Sequence, residues 1–265
     1  MLASPLTDKV AINPGEWCGE PKLDGHRLIV AVAADGGDLF GNSVVQAWSR
    51  NAIPRILPAH VRRILETLPS GIFDGELHVP GKRSYGVTEL VNTSSLAFTL
   101  FDCVELVGRD CTGCTYDERR SLLLEIGRQR EIDVIQSTVL ESKGHAMGMA
   151  EEVWSHDGEG VILKRRSSLY KPGKRVKEWV KIKQLRSATL TLVGYAGGQM
   201  GPHSVMVLLD DEGQGTTVKW KNLAQLAEAD ADPKRNIGRR CLIEFQELTN
   251  DGSYRHPRFD RWEDE

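Results

Sequence analysis

Apolar and polar positions along this 265-residue chain fall into two different periodicities. Between Ile53 and Leu68, apolar Ile53, Ile56, Leu57, Val61, Ile64, Leu65 and Leu68 recur every three to four residues, which predicts a helix with one buried stripe. Shorter runs, at residues 17–20, 71–79 and 96–106, have the length and composition of strands. Thr115-Tyr116-Asp117-Glu118 has the form of a capping box and predicts a helix through about Arg130. A further helix is expected from about Lys143 to Trp154, ending at Asp157-Gly158 just before another strand. Strands separated by helices in this way predict an α+β domain built on two antiparallel sheets, over residues 1–185.

After Lys183 the pattern changes. Residues 189–196, 204–210, 216–220 and 241–248 form short strand-like runs around Gly-rich turns, and residues 222–230 form a helical piece between them. This suits a small all-β domain over residues 186–265, of which an OB-type barrel is one of several candidates. The apolar run at 28–34 is far too short to span a bilayer. Met1-Leu2-Ala3-Ser4-Pro5 has neither a charged leader nor a long apolar stretch. The expectation is a cytoplasmic protein with no membrane partner.

A formal net charge of −3 argues against a nucleic-acid partner until the charge is mapped. Residues 164–186 hold ten Lys and Arg residues and one acid, Glu178, so this stretch carries +9 and the remainder −12. Such a run is commonly a solvated face. Here it contains Pro172-Gly173 and a Lys-x-Lys on a strand-like segment, which favours a phosphate-facing surface. Among five cysteines, Cys111 and Cys114 have metal-ligand spacing, but no second pair completes a set of four. They are expected to be small hydrophobes in a reducing compartment.

The chemistry centres on Lys22, in Lys22-Leu23-Asp24-Gly25-His26-Arg27. The Asp-Gly pair predicts a tight turn holding Lys22 at its edge, with Arg27 placed to neutralise phosphate oxygens. An ordinary surface lysine has a pKa of about 10.4 and is a poor nucleophile near neutrality, so neighbouring cations or a metal would have to lower it. Glu76 and Glu159 each adjoin a glycine, and together suit nucleotide or Mg²⁺ contacts better than two isolated surface acids would. Lys181 and Lys183 alternate with Val180 and Ile182 and so leave one face of a strand, where a polyphosphate would remove their mutual repulsion. Composition alone would make Phe101 a core aromatic.

Taken in order, these segments resemble the covalent nucleotidyltransferases, and in particular the minimal ATP-dependent DNA ligases of bacteriophages and bacteria. The matching segments are the Lys22 hexapeptide, Ser49-Arg50, Phe73-Asp74-Gly75-Glu76, Phe98-Thr99-Leu100-Phe101-Asp102, Glu159-Gly160 and Trp179-Val180-Lys181-Ile182-Lys183. Tyr170-Lys171-Pro172-Gly173 and Asp251-Gly252-Ser253-Tyr254-Arg255-His256-Pro257 look specifically like DNA ligase sequence. The resemblance implies an adenylation domain followed by an OB fold, with ATP as cosubstrate and Mg²⁺ or Mn²⁺ as metal. It makes Lys22 the nucleophile that receives AMP, Phe101 the face on which adenine stacks, and Glu20 a reader of the adenine edge. Arg27, Glu76, Glu159, Lys181 and Lys183 would complete the nucleotide site, Glu76 and Glu159 also serving the metal. Arg50, Lys164, Arg165, Arg175, Arg255 and Arg258 would contact DNA or phosphate. The partner implied is nicked double-stranded DNA, bound by a monomer, and the terminal arginines would serve self-adenylylation when the barrel covers the nucleotide. An RNA ligase, a GTP-using capping enzyme and a non-catalytic nucleic-acid binder are the alternatives. Two departures stand out: Asn51-Ala52 where the family's Ser-Arg motif ends in glycine, and Arg261-Trp262-Glu263 without the usual closing lysine.

Overall fold

A computed structural model describes residues 1–34, 43–81, 95–196, 205–219, 233–249 and 252–263. The helical piece expected at residues 222–230 lies outside the described residues. The chain divides into two units, Met1–Lys183 and Gln184–Glu265.

In the first unit, strands β3 (Gly25–Ala34), β4 (Ser43–Ser49), β5 (Pro54–Arg55), β6 (Gly71–His78), β7 (Ala97–Leu106) and β8 (Arg109–Asp110) form a six-stranded sheet in the order β5-β4-β3-β6-β7-β8. All of its pairings are antiparallel. Val30, Val32, Val45, Phe73 and Leu100 of this sheet share one core with Leu57, Val61 and Leu65 around helix α1 (Ala59–Leu65) and Leu123 and Ile126 of helix α2 (Tyr116–Arg130). Each such side chain, fully buried, contributes about 1.5–3 kcal/mol of transfer free energy.

The second sheet has the order β1-β11-β10-β2-β9, from Leu2–Pro5, Arg175–Lys183, Gly160–Arg165, Trp17–Pro21 and Thr138–Leu140. It is not the antiparallel sheet expected, because β1 runs parallel to β11, with Leu2 opposite Arg175. Helix α3 (Lys143–Ser155) packs on it through Ala146 and Ala150, one helical turn apart and fully buried.

The helix expected over residues 53–68 shrinks to Ala59–Leu65. Pro58 disfavours helical backbone at the residue before it and starts the helix at the residue after it. Ile56 is left 91% exposed, while Leu57, Val61, Leu65 and Leu68 form the buried stripe. The capping box does form: the Thr115 hydroxyl accepts from the Glu118 N–H, and the Glu118 carboxylate accepts the Thr115 N–H at 2.7 Å. Ser142 caps α3, accepting from the His145 N–H at 3.0 Å.

The second unit holds one antiparallel sheet. Its order is β14 (Gly215–Lys219), β13 (Val205–Leu209), β12 (Arg186–Ala196), β15 (Arg240–Phe245), β16 (Arg258–Trp262). Leu190, Leu192, Met206, Leu208, Ile243 and Phe259 form its core. The two edge strands, β14 and β16, approach within 8 Å between Cα atoms, so the sheet curls back toward itself.

Candidate active site

A cavity of about 500 Å³ opens in the first unit, lined among others by Glu20, Lys22, Arg27, Glu76, Phe101 and Lys181. Lys22 follows the end of β2, and β3 begins at Gly25, so the segment between them is a short link and not the tight Asp-Gly turn expected. Gly25 serves another purpose. A Cβ there would run into the Leu77 carbonyl oxygen, so glycine lets β3 lie against β6 at this point. The Lys22 N–H donates to the Gly160 carbonyl at 2.8 Å, which ties the nucleophile candidate to the Glu159-Gly160 segment. Gly160 has φ of +143°, and a Cβ there would collide with the Ile182 carbonyl. Glycine therefore allows Glu159 to arrive beside the end of β11.

Three charged side chains converge as a result. The Glu159 carboxylate pairs with Lys22 through one oxygen and with Lys183 through the other. Lys181 lies two residues along the same strand, at the cavity. Its ammonium is held below the usual lysine range by burial and then by the neighbouring charges of Lys183, Arg175 and Lys22. Burial pushes the Glu76 carboxyl up to about 8, against the opposing pull of Lys22 and Arg27. The site thus packs more cations than ionised carboxylates around Lys22, an arrangement suited to a polyanion.

Arg27 lines the cavity, but its fork is occupied. Its Nε donates to Asp74 Oδ1 at 2.8 Å and its Nη2 to Oδ2, while the Tyr170 hydroxyl also donates to Oδ2 at 2.7 Å. The β3–β6 register sets Arg27 opposite Glu76, with Asp74 the diagonal neighbour two residues along. The same guanidinium lies 5.3 Å from the Phe101 ring centroid and 5.9 Å from that of Trp179. Arg27 is therefore part of the wall, held by a buried acid that sequence reasoning passed over. The available signal was Asp74's place two residues before Glu76, on the same face of a strand. Phe101 is half-buried at the cavity, edge-on to Trp179 at 6.4 Å.

Lys164 is a buried cation. It was expected on a phosphate-facing surface, but its side chain is 1% exposed and pairs at 2.9 Å with Glu20, itself 3% exposed. Lys164 also donates to the Phe101 carbonyl at 2.8 Å. The Tyr116 hydroxyl donates to the other oxygen of Glu20. A second buried pair, Arg119 with Asp102 at 2.6 Å, fixes the strand that carries Phe101, and Arg119 was likewise not foreseen. Arg50 is exposed and reaches the cavity. Its turn is made by Ser49, whose hydroxyl accepts from the Ile53 N–H at 3.3 Å, and by Ala52 at φ of +59°, the conformation glycine would supply in the family's motif. Arg165 is paired with Glu16 at 2.9 Å, and Arg175 donates to the Ala3 carbonyl. Arg255 and Arg258 belong to the second unit, the first paired with Glu247 and the second exposed on β16. The cysteines are free thiols, and no group of three or more His, Cys, Asp or Glu is poised to hold a metal among the described residues.

Residues 1–183 match the family model described as the ATP dependent DNA ligase domain. The chain belongs to the ATP-dependent DNA ligase family. Within that family it is 28% identical to a DNA ligase of Methanothrix thermoacetophila over 236 residues, which is 80% of this chain and 41% of the relative. It is 30% identical to the multifunctional non-homologous end joining DNA repair protein LigD of Mycobacterium tuberculosis, over 77% of this chain and 26% of that one. The chain thus spans less than half the length of these relatives. Among solved structures, a Lig E DNA ligase covers 99% of this chain, with 98% of its own length matched, at a TM-score of 0.74 and 19% identity. The Chlorella virus DNA ligase-adenylate aligns at a TM-score of 0.53 and 20% identity. These likenesses establish the ligase adenylation fold. No helix among the described residues is long and apolar enough to cross a membrane.

Proposed function

We propose that this chain is an ATP-dependent DNA ligase that seals 5′-phosphate/3′-hydroxyl nicks in duplex DNA through a lysyl-AMP on Lys22. The observation that carries this reading is the convergence of Lys22, Glu159, Lys181 and Lys183 beside a cavity walled by Phe101. In the first step Lys22 Nζ attacks the α-phosphorus of ATP, a P–N bond forms, and the bond to pyrophosphate breaks. Lys22 must first lose a proton, and the Glu159 carboxylate already accepts a hydrogen bond from it. Lys181 and Lys183 stabilise charge developing on the phosphates. The AMP then passes to a 5′-phosphate, and a 3′-hydroxyl displaces it.

Magnesium is commonly held by one or two carboxylates together with substrate phosphates, and Glu76 and Glu159 fit that sparse donor set. Bound there, Mg²⁺ would supply positive charge to the phosphates. Burial raises the Glu76 carboxyl to about 8 even beside Lys22 and Arg27, and a cation held there would favour its ionised form. The second unit we take as the OB domain, supported by its curled antiparallel sheet of five strands. Exposed Arg50, Lys174 and Lys177 in the first unit and Arg258 in the second would contact DNA phosphates. The resemblance to minimal ligases supports a cytoplasmic monomer.

The test is nick sealing with ATP or GTP, on duplexes whose 3′-hydroxyl strand is DNA or RNA. Sealing of the DNA nick with ATP is expected. Protein labelling by GTP alone would replace this reading with capping chemistry, and sealing confined to RNA with an RNA ligase.

A further inference from the structure

We propose that Lys164 and Tyr116 are positioning residues that fix Glu20 as an acceptor for the exocyclic amino group of a 6-aminopurine, and so set base selection. This rests on the nucleotide-binding reading of the cavity. Glu20 lines the cavity, and Tyr116, on the first turn of α2, donates to its carboxylate. A carboxylate has two oxygens and about four acceptor positions. Tyr116 occupies one on Oε1 and Lys164 one on Oε2, so the rest of the group offers only acceptors.

At 3% exposure burial works against the charged form of Glu20, and the Lys164 ammonium at 2.9 Å offsets part of that cost. Burial does push its carboxyl upward, and the Lys164 charge is the largest opposing influence. The Lys164 ammonium is enclosed by three rings, 4.3 Å from the Trp179 centroid, 4.9 Å from Tyr116 and 5.0 Å from Phe101. It also bonds the Phe101 carbonyl. One buried cation therefore ties the group that reads the base edge to the aromatic residue at the cavity wall. A site built this way accepts a purine that carries a 6-amino donor and rejects one lacking it, because the buried acceptor would be left unpaired.

The experiment compares formation of the lysyl-nucleotide from ATP and from purine riboside 5′-triphosphate, which lacks only the amino group. Wild-type protein should prefer ATP by about 10- to 100-fold in kcat/KM, the worth of one hydrogen bond to a charged group. Tyr116→Phe keeps the ring packing and should narrow that preference several-fold by raising KM for ATP, with kcat and the constants for the analogue little changed. Lys164→Met should narrow it further, and Tyr116→Phe decides the matter should that variant fail to fold. Equal losses with both nucleotides, or an unchanged ratio, would overturn the inference while leaving the ligase reading intact. No label from any triphosphate in the wild type would overturn both.

Discussion

Glu76 and Ala52 are the two residues at which local chemistry leads most directly to a measurement. With its carboxyl raised to about 8, Glu76 keeps a proton in the folded protein that the unfolded chain releases near its ordinary value of about 4.5. The folded state then binds more protons between those values, so stability falls as pH rises through about 4.5 to 8 and levels off above. A tenfold difference in proton affinity between the two states corresponds to about 1.4 kcal/mol. Glu76→Gln should flatten this slope and unfold at higher urea than wild type at pH 8, while adenylylation slows. Parallel pH slopes for the two proteins would mean that Glu76 is not the group responsible. Ala52 sits at φ of +59° where the family's motif has glycine. Ala52→Gly should therefore stabilise by about 1 kcal/mol, read as a raised Tm. A lowered Tm would show that the turn favours alanine after all. Both positions were legible in the sequence, one as an acid beside glycine and the other as a departure from a motif. Asp74's hold on Arg27 was legible only as a face shared with Glu76, because the partners are 47 residues apart and strand register joins them.

Among the elements, local signals were legible wherever the backbone alone decides. The capping box placed the start of α2, and Asp157-Gly158 the end of α3, because capping and chain reversal act within a few residues. The helix expected over residues 53–68 failed because apolar spacing was counted across Pro58, whose ring overrides periodicity. The parallel pairing of β1 with β11 depends on a contact between residues 2 and 175, for which a single sequence carries no local signal. Strand β7 is tied to α2 by Asp102 and Arg119, both with side chains 0% exposed. Removing one partner would leave a bare buried charge, so Asp102→Ala should cost about 3–5 kcal/mol in urea unfolding. Asp102→Leu with Arg119→Met should recover much of that loss. A cost under about 1 kcal/mol for the single substitution would show that the pair is hydrated as surface pairs are.

Across the whole molecule, charge counted along the chain overstated the basic surface. The +9 stretch contains buried Lys164, and Arg165, Arg166 and Lys171 pair with Glu16, Asp117 and Glu178. Nick binding should therefore weaken with salt, but with a log–log slope of only a few phosphates, not ten. Fluorescence anisotropy between about 50 and 200 mM salt measures it. A flat response would rule out a phosphate-lined surface. The tail is part of the second unit's fold: deleting residues 255–265 would remove β16 and its Phe259, which is 2% exposed in the core of that unit. Substitution of Arg258 and Arg261 tests the tail without unfolding its sheet. The central claim, that Lys22 is the nucleophile, is tested most directly by Lys22→Ala with radiolabelled ATP and denaturing electrophoresis, alongside a nick already adenylylated at its 5′ end. The variant should take no label yet still close the pre-adenylylated nick at a reduced rate. Undiminished ATP-dependent labelling of Lys22→Ala would contradict the account.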